Sequence, residues 1–144
     1  STNGRIQPAS GGEIELDSLR NRVAKLDTLN YGFGIADVAD GSYSTAIFTT
    51  MPITVTMVRA VLRTTVDGTE DTAKCNIYFS TDISSGSPNT LWSTDKNVVD
   101  STTGTTYSSF DDATIPAYSW IWLQCNDEVG TVNQLNMTVF ARKD

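Results

Sequence analysis

From residue 43 onward the chain repeats one pattern, short runs in which every second residue is apolar, each closed by a turn signal. Residues 73–81 show it most cleanly, with Cys75, Ile77 and Phe79 on one side and Lys74, Asn76 and Tyr78 on the other. A side-chain period of two is the mark of a β-strand with one buried face. Residues 53–66 begin with Ile53, Val55 and Met57 on one face. They continue with Ala60 and Leu62 opposite Arg59, Val61 and Arg63, a phase change that predicts a bulge or a break. Further runs stand at 43–50, 91–92, 97–99, 105–110, 120–125 and 134–141. Asp40-Gly41, Met51-Pro52, Asp67-Gly68 and the Gly/Ser/Pro stretch 84–89 supply turns. Roughly eight short strands with no helical period between them predict a mainly β, antiparallel, jelly-roll-like β-sandwich.

The run at 120–125 departs from the pattern in a useful way. Ile121, Leu123 and Cys125 form one apolar face, while Trp120 and Trp122 make the other apolar as well. Antiparallel sheets normally wet one face, so the tryptophan side is expected to meet another sheet edge or another subunit. A strand buried centrally within one large sandwich is the competing reading.

The amino-terminal region reads differently. Residues 1–12 are polar, contain Gly and Pro, and lack periodicity; they predict an extended attachment arm, with Arg5, Ile6, Gln7 and Pro8 as docking residues. Residues 13–30 predict a coiled-coil stem. Ser10 and Glu13 have capping-box spacing, and Leu16, Leu19, Val23 and Leu26 recur at 3-4-3 spacing, continued by Asn30. Arg22 and Asp27 fall where an interchain ion pair forms between parallel neighbours. The stretch Arg22-Val23-Ala24-Lys25-Leu26-Asp27 resembles a trimer-specifying coiled-coil pattern, with Asp27 where that pattern has Glu. Two heptads alone are marginal in water, so a head that also associates is expected. The competing reading packs this helix on its own domain. Residues 31–42 are assigned to a linker and 43–144 to the head.

Charge and composition narrow the function. The net charge is −7, and residues 1–31 are balanced, so the rest of the chain holds 6 of the 10 basic and 13 of the 17 acidic residues. Such a surface disfavours nucleic acid and anionic lipid as partners, and the chain lacks an apolar run of membrane-spanning length. His is absent, which removes the commonest general base. The acid pairs Glu70-Asp71, Asp111-Asp112 and Asp127-Glu128 sit in predicted turns where both carboxylates stay ionised, so no catalytic residues, metal or cofactor are assigned. Asp67, Glu70 and Asp71 could serve Ca²⁺, but without the spacing of a known loop they are read as solvated turn acids. Cys75 and Cys125 are expected to be two buried free thiols in preference to a disulfide. Trp92, Tyr107, Tyr118 and Trp122 could stack on sugar rings, although core or interface roles are commoner for such residues. Asn136-Met137-Thr138 matches a glycosylation sequon but lies inside a predicted strand. Ser1 is a residue type left after removal of an initiator Met, and a complete short protein is the expectation.

Residues 73–138 resemble a β-rich domain of structural proteins from tailed bacteriophages. The resemblance is carried by Ile115-Pro116-Ala117-Tyr118-Ser119-Trp120-Ile121-Trp122-Leu123 and by Gly130-Thr131-Val132-Asn133-Gln134-Leu135-Asn136-Met137-Thr138. It implies a virion component without enzymatic activity, made in the host bacterial cytoplasm and displayed on the particle surface. With the stem, it looks like a homotrimeric head fibre or capsid decoration protein. Its partners would be copies of itself, the major capsid protein or another virion protein, and a host-surface glycan. A tail-fibre tip, with specificity in loops 82–90 and 100–112, is the alternative. A stand-alone carbohydrate-binding module is the second.

Overall fold

A strand with alternating burial needs a layer to cover its apolar face, and the long apolar runs of this chain lie in two antiparallel sheets. The structure, a computed structural model, describes residues 27–64, 71–101 and 103–144. Among them are eleven strands: β1 (Thr28–Ala36), β2 (Ser42–Tyr43), β3 (Ile47–Thr49), β4 (Ile53–Arg63), β5 (Thr72–Ser80), β6 (Asn89–Thr90), β7 (Lys96–Val99), β8 (Thr105–Tyr107), β9 (Thr114–Ile115), β10 (Ser119–Val129) and β11 (Gln134–Lys143). There is no helix among the described residues. The fold is mainly β, with antiparallel pairing throughout.

A five-stranded sheet runs β1-β11-β4-β8, with β9 also on β4. A six-stranded sheet runs β2-β10-β5-β6, with β3 also on β10 and β7 also on β5. The long strands alternate between sheets along the chain: β4 is followed by β5 in the other sheet, and β10 by β11. The second crossing turns at Gly130, whose φ of 79° lies in the left-handed region. A Cβ there would also overlap the Asp71 carboxylate, which accepts a hydrogen bond from the Thr131 amide at 3.2 Å.

One core draws on both sheets. Val58, Ala60, Leu62, Leu135, Met137 and Val139 come from the first, and Cys75, Ile77, Phe79, Ile121, Leu123 and Cys125 from the second. At about 25 cal/mol per Å² of apolar surface removed from water, burial of these side chains is the main driving force for the fold. Trp92 closes the core beside Tyr107 and Phe110, and its indole N–H donates to the Ser109 carbonyl at 2.8 Å.

Three expectations need correction, the inner-face placement of Met57, the free thiols and the stem boundary, while the bulge expected as one of two readings is present. The phase change in residues 53–66 is a bulge within one strand: the register moves from Phe140↔Met57 to Ala141↔Val55, leaving Thr56 unpaired. Val55 and Val58 therefore both point inward, and Met57 lies outward beside Phe140. The cysteines are not free thiols. Cys75 and Cys125 are register partners on β5 and β10, with Cα atoms 4.0 Å apart, and they form a disulfide. Fifty positions of sequence separation conceal that adjacency, which only strand register reveals.

The third correction concerns the stem boundary. Asp27 and Asn30 do not continue a helix. Asp27 lies in a turn and its carbonyl accepts from the Lys143 amide, while Asn30 sits in β1 opposite Phe140. Leu29, Tyr31, Phe33 and Ile35 alternate along the inner side of β1. That period of two, with β11 offering a free edge, overrides the heptad spacing at Asn30. The sheet consequently takes in residues 31–36, half of the 31–42 span expected as linker. Arg5, Ile6, Gln7, Pro8, Leu16, Leu19, Arg22, Val23 and Leu26 lie outside the described residues.

Candidate functional site

Strand β10 positions the most distinctive surface of the molecule. Residues directly opposite on antiparallel neighbours point to the same side of a sheet. Trp120 is opposite Phe48 of β3, Trp122 is opposite Tyr78 of β5, and Gln124 is opposite Tyr43 of β2. Because Ile121, Leu123 and Cys125 are fully buried in the core, all of these alternate residues face outward. The expectation of two apolar faces on this strand matches the structure.

The outer face has two parts. The first is an aromatic ridge. Phe48 packs on Trp120 with ring centroids 4.8 Å apart and on Tyr118 at 6.4 Å. Phe48 is 42% exposed and Tyr118 is 64% exposed, so the ridge is open to solvent. Tyr118 has a φ of 61°, a left-handed conformation that favours glycine and is costly for a bulky side chain. The turn is held by Ser119, whose hydroxyl donates to the Pro116 carbonyl at 2.8 Å. Strain of this kind persists where the surroundings over-determine it, and here it presents an aromatic ring to water.

The second part is a groove of about 650 Å³. Tyr43 stands on the β2 side, and Ile83, Ser85 and Pro88 approach from the β5–β6 loop. Its floor is the stacked pair Tyr78 and Trp122, with centroids 5.7 Å apart and ring planes inclined by 22°. A chain of hydrogen bonds fixes that floor. Trp122 Nε1 donates to Gln124 Oε1 at 3.3 Å, and Gln124 Nε2 donates to Asn126 Oδ1 at 3.1 Å. Asn126 Nδ2 then donates to the Tyr78 hydroxyl at 2.8 Å and to Asp95 Oδ2 at 3.2 Å. The other Asp95 oxygen accepts from Asn76, which is buried and also donates to the Trp92 carbonyl at 2.7 Å. Asn126 is the extra residue of a bulge, since the β10–β5 register shifts between Cys125 and Asp127. Burial pushes the Tyr78 phenol above its usual pKa; the Asn126 hydrogen bond opposes that shift and the Asp95 charge adds to it. The phenol therefore stays protonated at neutral pH.

The β5–β6 loop is organised by its own acid. Asp82 Oδ1 accepts from the Ser84 hydroxyl at 2.7 Å and from the Ser84 amide at 2.9 Å, which holds its carboxyl below the usual carboxylate range. Of the two loops expected to carry specificity, residues 82–90 border the groove. The described residues of 100–112 do not, since β8 within them pairs with β4 of the other sheet.

The remaining candidates separate. Tyr118 and Trp122 join the outer face. Trp92 is buried, and Tyr107 packs edge-on against it, so neither is offered to a ligand. Lys96 Nζ lies 5.7 Å from the Trp92 ring centre, a cation–π contact. The acid pairs are used structurally: Asp111 accepts from the Ser93 amide at 2.8 Å and hydroxyl at 3.0 Å, Asp112 accepts from the Thr114 amide, and Asp127 pairs with Lys74 at 3.1 Å. Those bonds from Ser93, backbone first, lower the Asp111 pKa. Asp71 is buried against Thr131, while Asp67 and Glu70 lie outside the described residues. No group of metal-binding side chains occurs among the described residues. Sequence reasoning missed Tyr43, Phe48 and Ile83, since their shared face depends on which strands flank β10. The signal that could have found it was the tryptophan pair, which required apolar neighbours on both sides.

The chain matches no protein-family model, and a comparison with curated proteins found no match.

Proposed function

We propose that this chain is a non-enzymatic virion structural protein of a tailed bacteriophage, a homotrimeric head fibre or capsid decoration protein displayed on the particle surface. The two sheets are read as the layers of a jelly-roll-like β-sandwich head. The observation that carries the reading is the aromatic ridge of Phe48, Tyr118 and Trp120, open on a strand whose other face is core. A contiguous exposed apolar face on a folded domain marks an association surface. Supporting it are the resemblance over residues 73–138 and the leucine stripe of Leu16, Leu19, Val23 and Leu26, which leads into β1. In this reading the stem ends before Thr28, and the arm with Arg5, Ile6, Gln7 and Pro8 docks on the major capsid protein or another virion protein. Closed threefold symmetry would let three weak arms act together.

The test is the mass in solution. Light scattering at micromolar concentration is expected to give three times the 15.6 kDa of one chain. Val23→Asp in the stem and Phe48→Ser on the ridge are each expected to lower that mass, and together to give single chains. A wild-type protein with the mass of one chain rules the reading out. Imaging of particles with and without the protein then distinguishes capsid from tail.

A further inference from the structure

We infer that the groove floored by Tyr78 and Trp122 is a binding site for a neutral saccharide, which deepens the proposed display function by naming what the exposed head would adhere to. Four observations converge on that chemistry. The groove offers aromatic surface from the exposed Tyr43 and the half-buried Tyr78, with only the 7% exposed edge of Trp122 at its floor, against which the C–H faces of a sugar ring pack. Polar groups stand among the rings: the Gln124 amide, the Ser85 hydroxyl and the Tyr78 hydroxyl, matching a ligand that is apolar on its faces and hydroxylated around its rim. None of the ten lining residues is charged, in a protein whose net charge is −7. An anionic sugar would meet a repulsive field and no cation to neutralise it, so the ligand is uncharged. The volume, about 650 Å³, falls within the range of small-ligand sites.

The polar chain running from Trp122 through Gln124 and Asn126 to Tyr78 and Asp95 adds a physical reason for binding. It fixes the rings before any ligand arrives, so little side-chain ordering opposes association. A surface evolved only to pack against another apolar surface needs no such network on its floor. Single-site affinity is expected to be weak, and three heads on one stem would raise it through avidity.

The full chain, tagged and applied to an array of neutral and anionic oligosaccharides, is expected to retain on neutral members. The same neutral glycan titrated into labelled protein should shift the Trp122 indole resonance and leave the buried Trp92 indole unmoved. Tyr43→Ala removes a 72% exposed ring at the groove edge, so the fold is retained while binding falls at least tenfold. Gln124→Leu provides a second variant, with the apolar shape kept and the amide lost. No retention on any neutral glycan, retention confined to sialylated or sulfated members, or wild-type binding by Tyr43→Ala each overturns the assignment. A Trp122 shift that follows protein concentration instead of glycan also overturns it, since the groove's occupant is then a second copy. The association reading fails separately: Tyr43→Ala is expected to keep the wild-type mass, whereas Phe48→Ser lowers mass and leaves single-site glycan affinity in place.

Discussion

The outer faces of the two sheets are built from the same strand geometry and end in opposite chemistry. On the five-stranded sheet, β4 and β11 turn Thr54, Arg59, Arg63, Asn136, Thr138 and Arg142 outward around the apolar Met57, Val61 and Phe140, and none of that sheet's strands contains an acidic residue. This is a hydrated face with a positive bias, on a chain of net charge −7. On the six-stranded sheet the outward positions include Tyr43, Phe48, Tyr78, Trp120 and Trp122, with amides between them and Lys74 at one end. Hydrophobic burial explains the inner faces of both sheets alike. It does not explain why one outer face keeps its aromatic rings in place with a hydrogen-bond chain and a left-handed tyrosine. In the proposed reading, that difference makes one sheet the scaffold and the other the contact surface.

The largest effect should come from the covalent tie, which belongs to the contact sheet alone. Cys75–Cys125 joins β5 and β10, the two central strands beneath the aromatic face. Closing a loop of this length constrains the unfolded chain, so Cys75→Ala with Cys125→Ala is expected to lower unfolding free energy by about 3 kcal/mol, read by urea denaturation. Hydrogen exchange is the sharper measurement: amides of β5 and β10 should gain exchange before those of β4 and β11. A uniform increase would mean the two sheets open as one unit and that the tie does not serve the contact sheet in particular.

That contrast also shows where the sequence was readable. Residues 73–81 and 120–125 disclosed their strands and inner faces because alternation is local, and the doubly apolar β10 disclosed that its outer side was unusual. Register is not local. It decides that Cys75 meets Cys125, that Phe48 lies against Trp120, and that Tyr43 flanks Gln124, and no spacing along the chain encodes it. Asn30 failed for a different reason: an apolar spacing of 3-4-3 and a period of two overlap around residues 26–31, and the free edge of β11 chose between them. The bulges at Thr56 and Asn126 divide in the same way, the first visible as a phase change and the second hidden behind polar residues.

A smaller effect, with the opposite sign, is expected at Tyr118. Its left-handed backbone is strained for any side chain with a Cβ, and glycine relieves that strain. Tyr118→Gly should therefore stabilise the fold by about 1 kcal/mol, after allowance for the extra freedom of glycine in the unfolded chain. The same substitution deletes the most exposed ring of the ridge, so the mass of the proposed assembly should fall in light scattering as thermal stability rises. A gain in stability with unchanged mass would show that Tyr118 is a tolerated irregularity and would confine the ridge to Phe48 and Trp120.

The smallest effect is expected on the opposite face. Arg59 reaches from β4 to β8, donating to the Thr106 hydroxyl at 2.7 Å, and also donates to the Thr103 carbonyl, both at the exposed surface. Water replaces such bonds with little loss, and Arg59→Ala should cost about 0.5 kcal/mol or less in a urea titration. Its importance is comparative. Arg59 and Phe48 are both exposed side chains on strands of their respective sheets, yet only Phe48→Ser is expected to lower the mass of the assembly. If Arg59→Ala lowers it equally, the positive face of the five-stranded sheet meets the acidic remainder of a neighbouring copy, and contact is not the property of the aromatic face alone.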